Sequence, residues 1–351
     1  PKDQLQRVQS QRAQREERAS DLLRRALALL SQASLPKVQC GDLRPPANDE
    51  LLVIYHPVRA GAWVGFAAGE ALEVHRFEQL DLGADELGPH DAQQLGTSLL
   101  APFGNALAQA KRVRMLPLRA LLDIPFHAAN DPANPEAPVI DRMEVAYAID
   151  RPAKALGEAL EELTGALVVA DPRSNLEHAD AEVTMVEEAL VGRGVTVEVL
   201  RGKQASGASL RSALAATDLL HYAGHGLSDG NTGVGSVLLL AGSTLSVGDI
   251  LMLPSVPQVV VLSGCETGLT DSRTLSGGMS VAWAFVAAGS QSVIAAASEI
   301  DDDLAAAISS KLYSGGDETG FDGPSALRRA QLAIRAQDPA AAWHVFRAWV
   351  P

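Results

Sequence analysis

From Ala166 onward the sequence alternates short apolar runs with helical stretches, and this alternation leaves few folds open. The runs are rich in Val, Ile and Leu and lie at 166–170, 195–200, 218–223, 236–240, 258–263 and 291–297. The predicted helices between them include 180–191, 207–215 and 277–288. Continuous apolar runs that alternate with helices are typical of a mainly parallel sheet covered by helices on both faces. The predicted fold class is therefore α/β.

The part of the chain before Ala166 has a different pattern. Apolar runs separated by Gly or Pro predict a three-stranded meander at 51–56, 62–68 and 71–77. The pattern further predicts a helical region around 99–107, strands at 112–116 and 139–149, and a loop at 130–138.

Residues 1–35 stand apart as a predicted helix. From Asp3 to Leu30 there is no Gly or Pro, and the apolar residues become denser toward the end of the segment. The helix either packs on the rest of the protein by its second half or connects it to an upstream sensor domain. The first residue is Pro1 rather than Met, as expected of a piece of a longer protein.

Composition excludes several classes of partner. Asp and Glu outnumber Lys and Arg by 43 to 29, so direct binding to nucleic acid is not expected. No apolar segment reaches the roughly 18 residues of a membrane span. The two cysteines, Cys40 and Cys265, form no CxxC pair, which favours a reducing cytoplasm. No cofactor or metal is expected, because the sequence has neither a GxxxxGK[ST] loop nor clustered metal ligands.

Two predicted strands end in reactive side chains among glycines. His225 lies in "AGHG" and Cys265 in "SGCETG". Strand carboxyl ends of a parallel sheet meet at one edge, so a thiol and an imidazole there could carry out acyl transfer. The amides of Gly226 and Cys265 are then the candidate oxyanion hole. Spacing alone also allows an inert buried cysteine and a histidine that only forms a turn.

His221 is a competing candidate for the base. It lies inside the apolar run 218–223, four residues before His225, where its neighbours in the alternation face the core. This position predicts a packed histidine rather than a catalytic one.

Several motifs together resemble one family. "DLLHYAGHG", "GSVLLL", "VVVLSGCETGL" and "AWAFVAAGSQSVIAA" occur in the order and spacing of the CHAT family, and the resemblance extends from about Glu50 to the last residues. CHAT proteins are bacterial caspase-like cysteine peptidases, similar to separase and to the wider caspase-type clan. The resemblance implies that His225 is the base and Cys265 the nucleophile. This chain departs from the family's frequent "ACETG" and "WPVDD" with "GCETG" and "SEIDD".

The resemblance also implies a domain organisation and a function. Residues 166–351 would be the catalytic caspase-like half, 36–165 a related inactive half, and 1–35 an N-terminal helix or connector. The expected function is a cysteine endopeptidase that cuts a partner protein in bacterial signalling, antiphage defence or programmed cell death. Control would come from an upstream sensor or a regulatory domain or subunit. The alternative is a non-catalytic caspase-like interaction or scaffold module.

Three acids open the predicted helix "DLAAAISSKLY". Acids at a helix N-terminus can simply cap free amides and complement the macrodipole. Similarity to separase implies instead that an acid here binds an arginine, so we expect cleavage after Arg or Lys, with Asp301 and then Asp302 in the substrate pocket. Arg273, in the loop after Cys265, would favour an acidic residue instead, unless it is only a solvated side chain.

Overall fold

The fold is organised by one large mixed β-sheet. The computed structural model describes residues 47, 49–58, 62–78, 80, 89–149, 156, 162–228, 235–264, 268, 280–314 and 321–351. The predicted helix at 1–35 lies outside the described residues.

The described part of the chain contains sixteen strands and eight α-helices. The strands are β1 Glu50–Pro57, β2 Trp63–Ala68, β3 Leu72–Phe77, β4 Arg112–Leu116, β5 Asn130–Asp131, β6 Asn134–Pro138, β7 Glu144–Ala148, β8 Gly165–Ala170, β9 Thr196–Arg201, β10 Leu219–Ala223, β11 Gly226–Leu227, β12 Val237–Leu240, β13 Ser243–Ser246, β14 Val259–Leu262, β15 Ser292–Ala296 and β16 Phe346–Val350. The α-helices are α1 Pro89–Leu100, α2 Gly104–Gln109, α3 Ala179–Val191, α4 Gly207–Leu214, α5 Val247–Leu251, α6 Val281–Ala288, α7 Asp302–Tyr313 and α8 Gly323–Gln337. None of the helices in these ranges is both long and apolar enough to cross a bilayer.

Within the described residues, eleven strands form the main sheet, in the order β3-β2-β1-β4-β7-β16-β15-β14-β10-β8-β9. Strands β1, β4, β7 and β16 run parallel to one another, and β15, β14, β10, β8 and β9 form a second parallel block. The two blocks join where β16 pairs antiparallel with β15. The carboxyl ends of the two blocks therefore point to opposite edges of the sheet. The predicted mainly parallel sheet is confirmed.

Helices cover both faces of the second block. Along β8, Leu167 and Val169 face one apolar core, whereas Val168 and Ala170 face the other. Helix α6 packs into the first core, and α3, α7 and α8 pack into the second. Since both faces are buried, the inner strands β8, β10, β14 and β15 are mostly apolar, as the sequence indicated, whereas the edge strand β9 is partly exposed.

The first strands form the predicted meander, because β1 pairs antiparallel with β2, and β2 with β3. Two predictions for the following segment were wrong. Part of the predicted loop 130–138 is a two-stranded hairpin of β5 and β6. The strand predicted over 139–149 begins only at Glu144, after a 3-10 turn at Val139–Asp141.

The apolar run 236–240 is a strand, but it does not enter the main sheet. Its strand β12 lies between β11 and β13 in a separate antiparallel sheet of three strands. Gly242, with φ of 69°, is at the turn that connects β12 to β13. A positive φ suits glycine, and this glycine turn closes the hairpin. The alternation of apolar runs with helices had instead predicted another parallel strand here.

Candidate active site

One edge of the second block collects the carboxyl ends of four neighbouring strands. Here β8 leads into the loop 171–178, β10 into 224–226, β14 into 263–264 and β15 into 297–301. Cys265, Glu266, Thr267 and Arg273 lie outside the described residues. Gly264 and Gly268, on either side of residues 265–267, are described, and both lie at this edge.

Gly264 packs directly against the loop that carries His225. A methyl group added to Gly264 would collide with the carbonyl oxygen of Gly224 and would lie 3.4 Å from the nitrogen of Gly226. The amide of Ser263 donates to the carbonyl of Tyr222 at 2.9 Å, which ties the two strand ends together. The residue before Cys265 is therefore in van der Waals contact with the backbone on both sides of His225.

Gly268 lies close to the end of the neighbouring strand β15. Its amide donates to the carbonyl oxygen of Ala296 at 2.8 Å. An added Cβ on Gly268 would lie 2.9 Å from that same oxygen. The requirement for glycine at 264 and 268 thus comes from close backbone approach on each side of the candidate nucleophile.

His225 is half-buried, and its main chain and side chain each have partners. Its carbonyl oxygen accepts from the amide of Leu239 at 2.9 Å. The Tyr222 hydroxyl lies 3.0 Å from the same oxygen and 2.6 Å from the carbonyl oxygen of Leu239. The ring atom Nε2 of His225 lies 3.1 Å from Oδ1 of Asn175, which is in the loop after β8. The loop of His225 is thus held by the hairpin of β12, and the ring by a side chain from the loop after β8.

The ladder between β11 and β12 fixes the direction of the Gly226 N–H group. Gly226 lies opposite Leu238 in the ladder, and the bond from Leu239 to the His225 carbonyl shows that this is a non-hydrogen-bonded pair. Residues at such positions direct their N–H away from the partner strand. The N–H of Gly226 therefore points away from β12, on the side where an oxyanion donor would be useful.

His221 is fully buried and lies away from the strand ends, as predicted for the packed histidine. Its Nε2 lies 3.1 Å from Oε1 of Glu182 in α3, and its Nδ1 lies 3.2 Å from the hydroxyl of Tyr313 in α7. Both ring nitrogens thus have partners inside the protein. The two histidines of "LLHYAGHG" have different environments, and only His225 is at the edge with the other candidate residues.

Glu182 is the centre of a buried polar network beneath this edge. Its Oε1 accepts a hydrogen bond of 2.6 Å from the hydroxyl of Ser309, which lies 3.5 Å from the hydroxyl of Ser263. Burial by itself raises the pKa of the Glu182 carboxyl, but hydrogen bonding and charge from His221, with the two serine hydroxyls, hold the pKa below its usual value. A buried carboxylate with these partners links α3, β10, α7 and the end of β14.

An acidic cleft of about 780 Å³ lies between the loop after β8 and the start of α7. Its charged lining consists of Glu177, His178, Asp301, Asp302, Asp303 and Asp338. The structure thus places both predicted pocket residues, Asp301 and Asp302, in one cleft with three further carboxylates. No group of three or more His, Cys, Asp and Glu in the described ranges is suited to hold a metal ion.

Asp301 and Asp303 have different roles at the start of α7. Asp301 is the N-cap residue, but its side chain makes no capping hydrogen bond and is exposed. Oδ1 of Asp303 lies 3.1 Å from Nε2 of His178. Asp302 and Asp303 lie in the first helical turn, where acids complement the macrodipole. Capping therefore does not account for the side chain of Asp301.

The fold is similar to that of a known caspase-like protein. The crystal structure of the Saccharomyces cerevisiae separase–securin complex at 2.6 Å resolution matches with a TM-score of 0.51 and 9% sequence identity, covering 69% of this chain and 16% of the matched chain. A structure of the same complex at 3.0 Å matches with a TM-score of 0.49 and 9% identity, over 69% of this chain and 15% of the other. This chain therefore spans only a small part of the length of the chains that it matches. The protein is an α/β protein that resembles the caspase-like domain of separase.

The sequence itself identifies the family. A model of the CHAT domain matches residues 90–350, and the chain belongs to the CHAT domain family. No curated protein matches the chain.

Three residues near the site were missed by the sequence reasoning. Asn175 and His178 follow β8, and Glu182 lies in α3. The signal for the first two was present, because "DPRSNLEH" directly follows a predicted strand, at the same edge as His225. Glu182 gave no comparable signal, since its burial depends on contacts with α7 and β10.

Proposed function

We propose that this protein is a cysteine endopeptidase in which Cys265 is the nucleophile and His225 the base. The observation that carries the proposal is the packing of Gly264 against the Gly224 carbonyl and the Gly226 amide. Cys265 is the next residue in the chain after Gly264, and the proposal therefore places its thiol beside the loop of His225. A Cys–His pair that meets within hydrogen-bond reach is sufficient for acyl transfer.

The first half of the reaction cleaves the peptide bond. The Cys265 thiolate attacks the scissile carbonyl carbon, forming an S–C bond, and the C=O electron pair moves to the oxygen. The N–H groups of Gly226 and Cys265 stabilise this oxyanion. The carbonyl then re-forms, the C–N bond breaks, and the leaving nitrogen takes a proton from the His225 imidazolium. The products are a free amine and a thioester on Cys265.

The second half releases the acyl group. Neutral His225 accepts a proton from water, whose oxygen attacks the thioester carbon and forms a C–O bond. The S–C bond breaks, and the thiolate of Cys265 is restored beside the imidazolium. The net reaction consumes one water and needs no metal or cofactor.

We further propose cleavage after Arg or Lys. The acidic cleft carries five carboxylates, and the loop of Asn175 contributes Glu177 and His178 to its lining. Asp301 is the first candidate partner of a basic side chain, because its carboxylate is exposed and is not used as a cap. Asp302 is the second. The negative field of the cleft would also draw a basic segment of a substrate toward the site.

The proposed biological role is that of a regulated enzyme in the cytoplasm, where a catalytic thiol stays reduced. Its substrate would be a partner protein in bacterial signalling, antiphage defence or programmed cell death. Residues 36–165 would support the catalytic half without a dyad of their own, and residues 1–35 would connect to an upstream sensor or regulatory subunit. The net charge of −14 makes nucleic acid an unsuitable direct ligand.

The competing proposal is a non-catalytic scaffold with the same fold. Alkylation with iodoacetamide separates the two, because only a catalytic site gives an activated thiol. If the enzyme proposal holds, Cys265 reacts several times faster than Cys40, and His225→Ala removes the difference. The matched control is His56→Ala, which removes an exposed histidine from β1. Equal and slow labelling of both cysteines would favour the scaffold.

Hydrolysis is tested with a peptide library that varies the residue before the cut. The wild-type protein should cleave peptides with Arg or Lys at that position, and Cys265→Ala should cleave none. Co-expression of both forms with neighbouring gene products then searches for a protein that only the wild type cuts. A wild-type protein without activity toward all peptides and all neighbours would contradict the endopeptidase assignment.

A further inference from the structure

We infer that Asn175 is a positioning residue that holds the imidazole of His225 in the orientation and tautomer needed for proton transfer. The inference deepens the proposed function and rests on it. Its basis is the 3.1 Å contact between Oδ1 of Asn175 and Nε2 of His225, made between residues 50 positions apart in the chain.

The loop that carries Asn175 is fastened to the same strand end as His225. The Asp171 amide donates to the carbonyl of Ala223 at 2.8 Å, and the Asp171 carboxylate accepts from the amide of Leu176 at 2.9 Å. Asp171 and Ser174 have positive φ values of 36° and 58°, so the chain turns sharply between these two anchors. Asn175 thus follows directly on a folded turn and precedes an anchored amide. Its side chain is presented to His225 by fixed backbone rather than by a free loop.

Proline packing adds a second link between the two loops. An added Cβ on Gly224 would lie 3.0 Å from Cδ of Pro172. The turn at 171–174 therefore touches the residue immediately before His225. A displacement of this turn would move Asn175 and the backbone of His225 together, which keeps their distance constant.

The chemistry of the contact determines which ring nitrogen is available. The amide oxygen of Asn175 can only accept, so Nε2 of His225 carries the hydrogen and donates it. In the neutral ring this leaves the lone pair on Nδ1, which is the nitrogen that can take and return the proton of the Cys265 thiol. When the ring becomes an imidazolium, Asn175 still accepts from Nε2 but adds no charge. The contact therefore orients His225 without placing a second charge beside it.

The experiment uses the full chain and the pH profile of Cys265 alkylation by iodoacetamide, which needs no substrate. In Asn175→Ala the ring loses its acceptor, and the alkylation rate near pH 7 should fall about tenfold. In Asn175→Asp the acceptor is restored with a negative charge, which stabilises the imidazolium. Reactivity should then recover, and the limb of the profile that reports loss of the imidazolium proton should move to higher pH by about half a unit or more.

Arg173→Ala is the matched control, because Arg173 is an exposed residue of the same loop. It should alkylate at the wild-type rate with an unchanged profile. If the substitutions only disturb the loop in general, the alkylation of Cys265 should be slow in Arg173→Ala as well. The pH profile of Asn175→Asp should then match that of the wild type. That pattern, or wild-type reactivity in Asn175→Ala, would overturn the inference.

A direct measurement on the histidine separates this inference from the peptidase assignment. The NMR titration of ¹⁵N-labelled imidazoles, with His225→Gln to identify the signal, should show a higher pKa for His225 in Asn175→Asp than in the wild type. If no peptide is cleaved but this shift is present, the contact stands and the endopeptidase assignment fails. If peptides are cleaved and His225 titrates identically in both proteins, the contact is wrong and the peptidase stands.

Discussion

The carbonyl oxygen of Gly224 occupies the space that a side chain on Gly264 would need. This contact joins the loop of His225 to the residue before Cys265, and it gives a structural reason for "GCETG" in place of the frequent "ACETG". In this chain the two loops approach so closely that the alanine methyl has no room. Their separation is therefore sensitive to a single added carbon.

We predict that Gly264→Ala lowers both the stability of the fold and the reactivity of Cys265. The methyl would force the two loops apart at a cost of about 1 to 3 kcal/mol, so both the free energy of unfolding and the alkylation rate of Cys265 should fall. Urea unfolding and iodoacetamide labelling measure the two effects. Gly248→Ala is the control, because an added Cβ there meets only Ser246 Oγ at 3.7 Å and helix α5 should gain slightly. Wild-type stability and labelling in Gly264→Ala would show that the loops are not in contact.

Tyr222→Phe should weaken the support of His225. The Tyr222 side chain is fully buried, and its hydroxyl lies between the carbonyl oxygens of His225 and Leu239. Its removal should lower the free energy of unfolding by about 1 to 2 kcal/mol and slow alkylation of Cys265 several-fold.

Tyr55→Phe provides a matched comparison for that variant. Tyr55 is also fully buried, and its hydroxyl donates to the Leu99 carbonyl at 2.9 Å, far along the sheet from His225. Its loss of stability should be similar, whereas labelling of Cys265 should stay at the wild-type rate. Equal labelling rates in the two tyrosine variants would show that Tyr222 has no specific effect on the site.

Glu182→Gln should make stability less dependent on pH. The pKa of Glu182 is lower in the folded protein than its usual value, so its carboxylate stabilises the fold above the unfolded pKa of about 4.3. This contribution is lost as the pH falls through the lower folded pKa. At pH 7 the variant should therefore be less stable by about 1.5 to 3 kcal/mol, and the difference should shrink in acid. Urea unfolding from pH 7 down to pH 3 measures it.

Glu187→Gln is the control for Glu182, since Glu187 lies in the same helix with a side chain 40% exposed and an ion pair of 3.5 Å to Arg201. Loss of such a surface pair should change stability by less than about 1 kcal/mol at any pH. A constant difference between Glu182→Gln and the wild type across the whole range would contradict the assigned pKa direction.

Asp301→Ala should reduce selectivity for a basic residue before the cut. Loss of one partly exposed ion pair of about 1 kcal/mol should lower the ratio of kcat/KM for Arg over Leu peptides about fivefold. Added salt should lower the same ratio in the wild type, because the cleft is open to solvent. Asp91→Ala, which removes an acid from the first turn of α1, should leave the ratio unchanged. An unchanged ratio in Asp301→Ala would exclude this residue from the pocket.

The sequence predicted the core of the second sheet block and the edge at which its strands end. The inner strands are buried on both faces, so they are apolar at almost every position and stand out as continuous apolar runs. The sequence separated His221 from His225 for the same reason. The contact with Asn175 could not be predicted, since it depends on the sharp turn between Asp171 and Ser174 rather than on any periodic pattern. The hairpin of β12 was missed because an apolar run does not report which strand will pair with it.

Strand β16 was the other element that local pattern could not place. Its residues "FRAWV" form a short strand, but their position between β7 and β15 is decided by pairing with residues far away in the chain. Such long-range pairing is invisible to a reading of neighbouring residues.

The position of β16 has a consequence for when the main sheet can close. During translation, β7 and β15 leave the ribosome before Phe346–Val350. Each of the two strands therefore keeps one unpaired edge until β16 is available to pair between them. Every described strand end of the candidate site is translated earlier than the strand that closes the sheet. The main sheet of a nascent chain therefore stays divided into its two parallel blocks until Phe346–Val350 is translated, and the strand ends near His225 and Gly264 belong to an incomplete sheet until then.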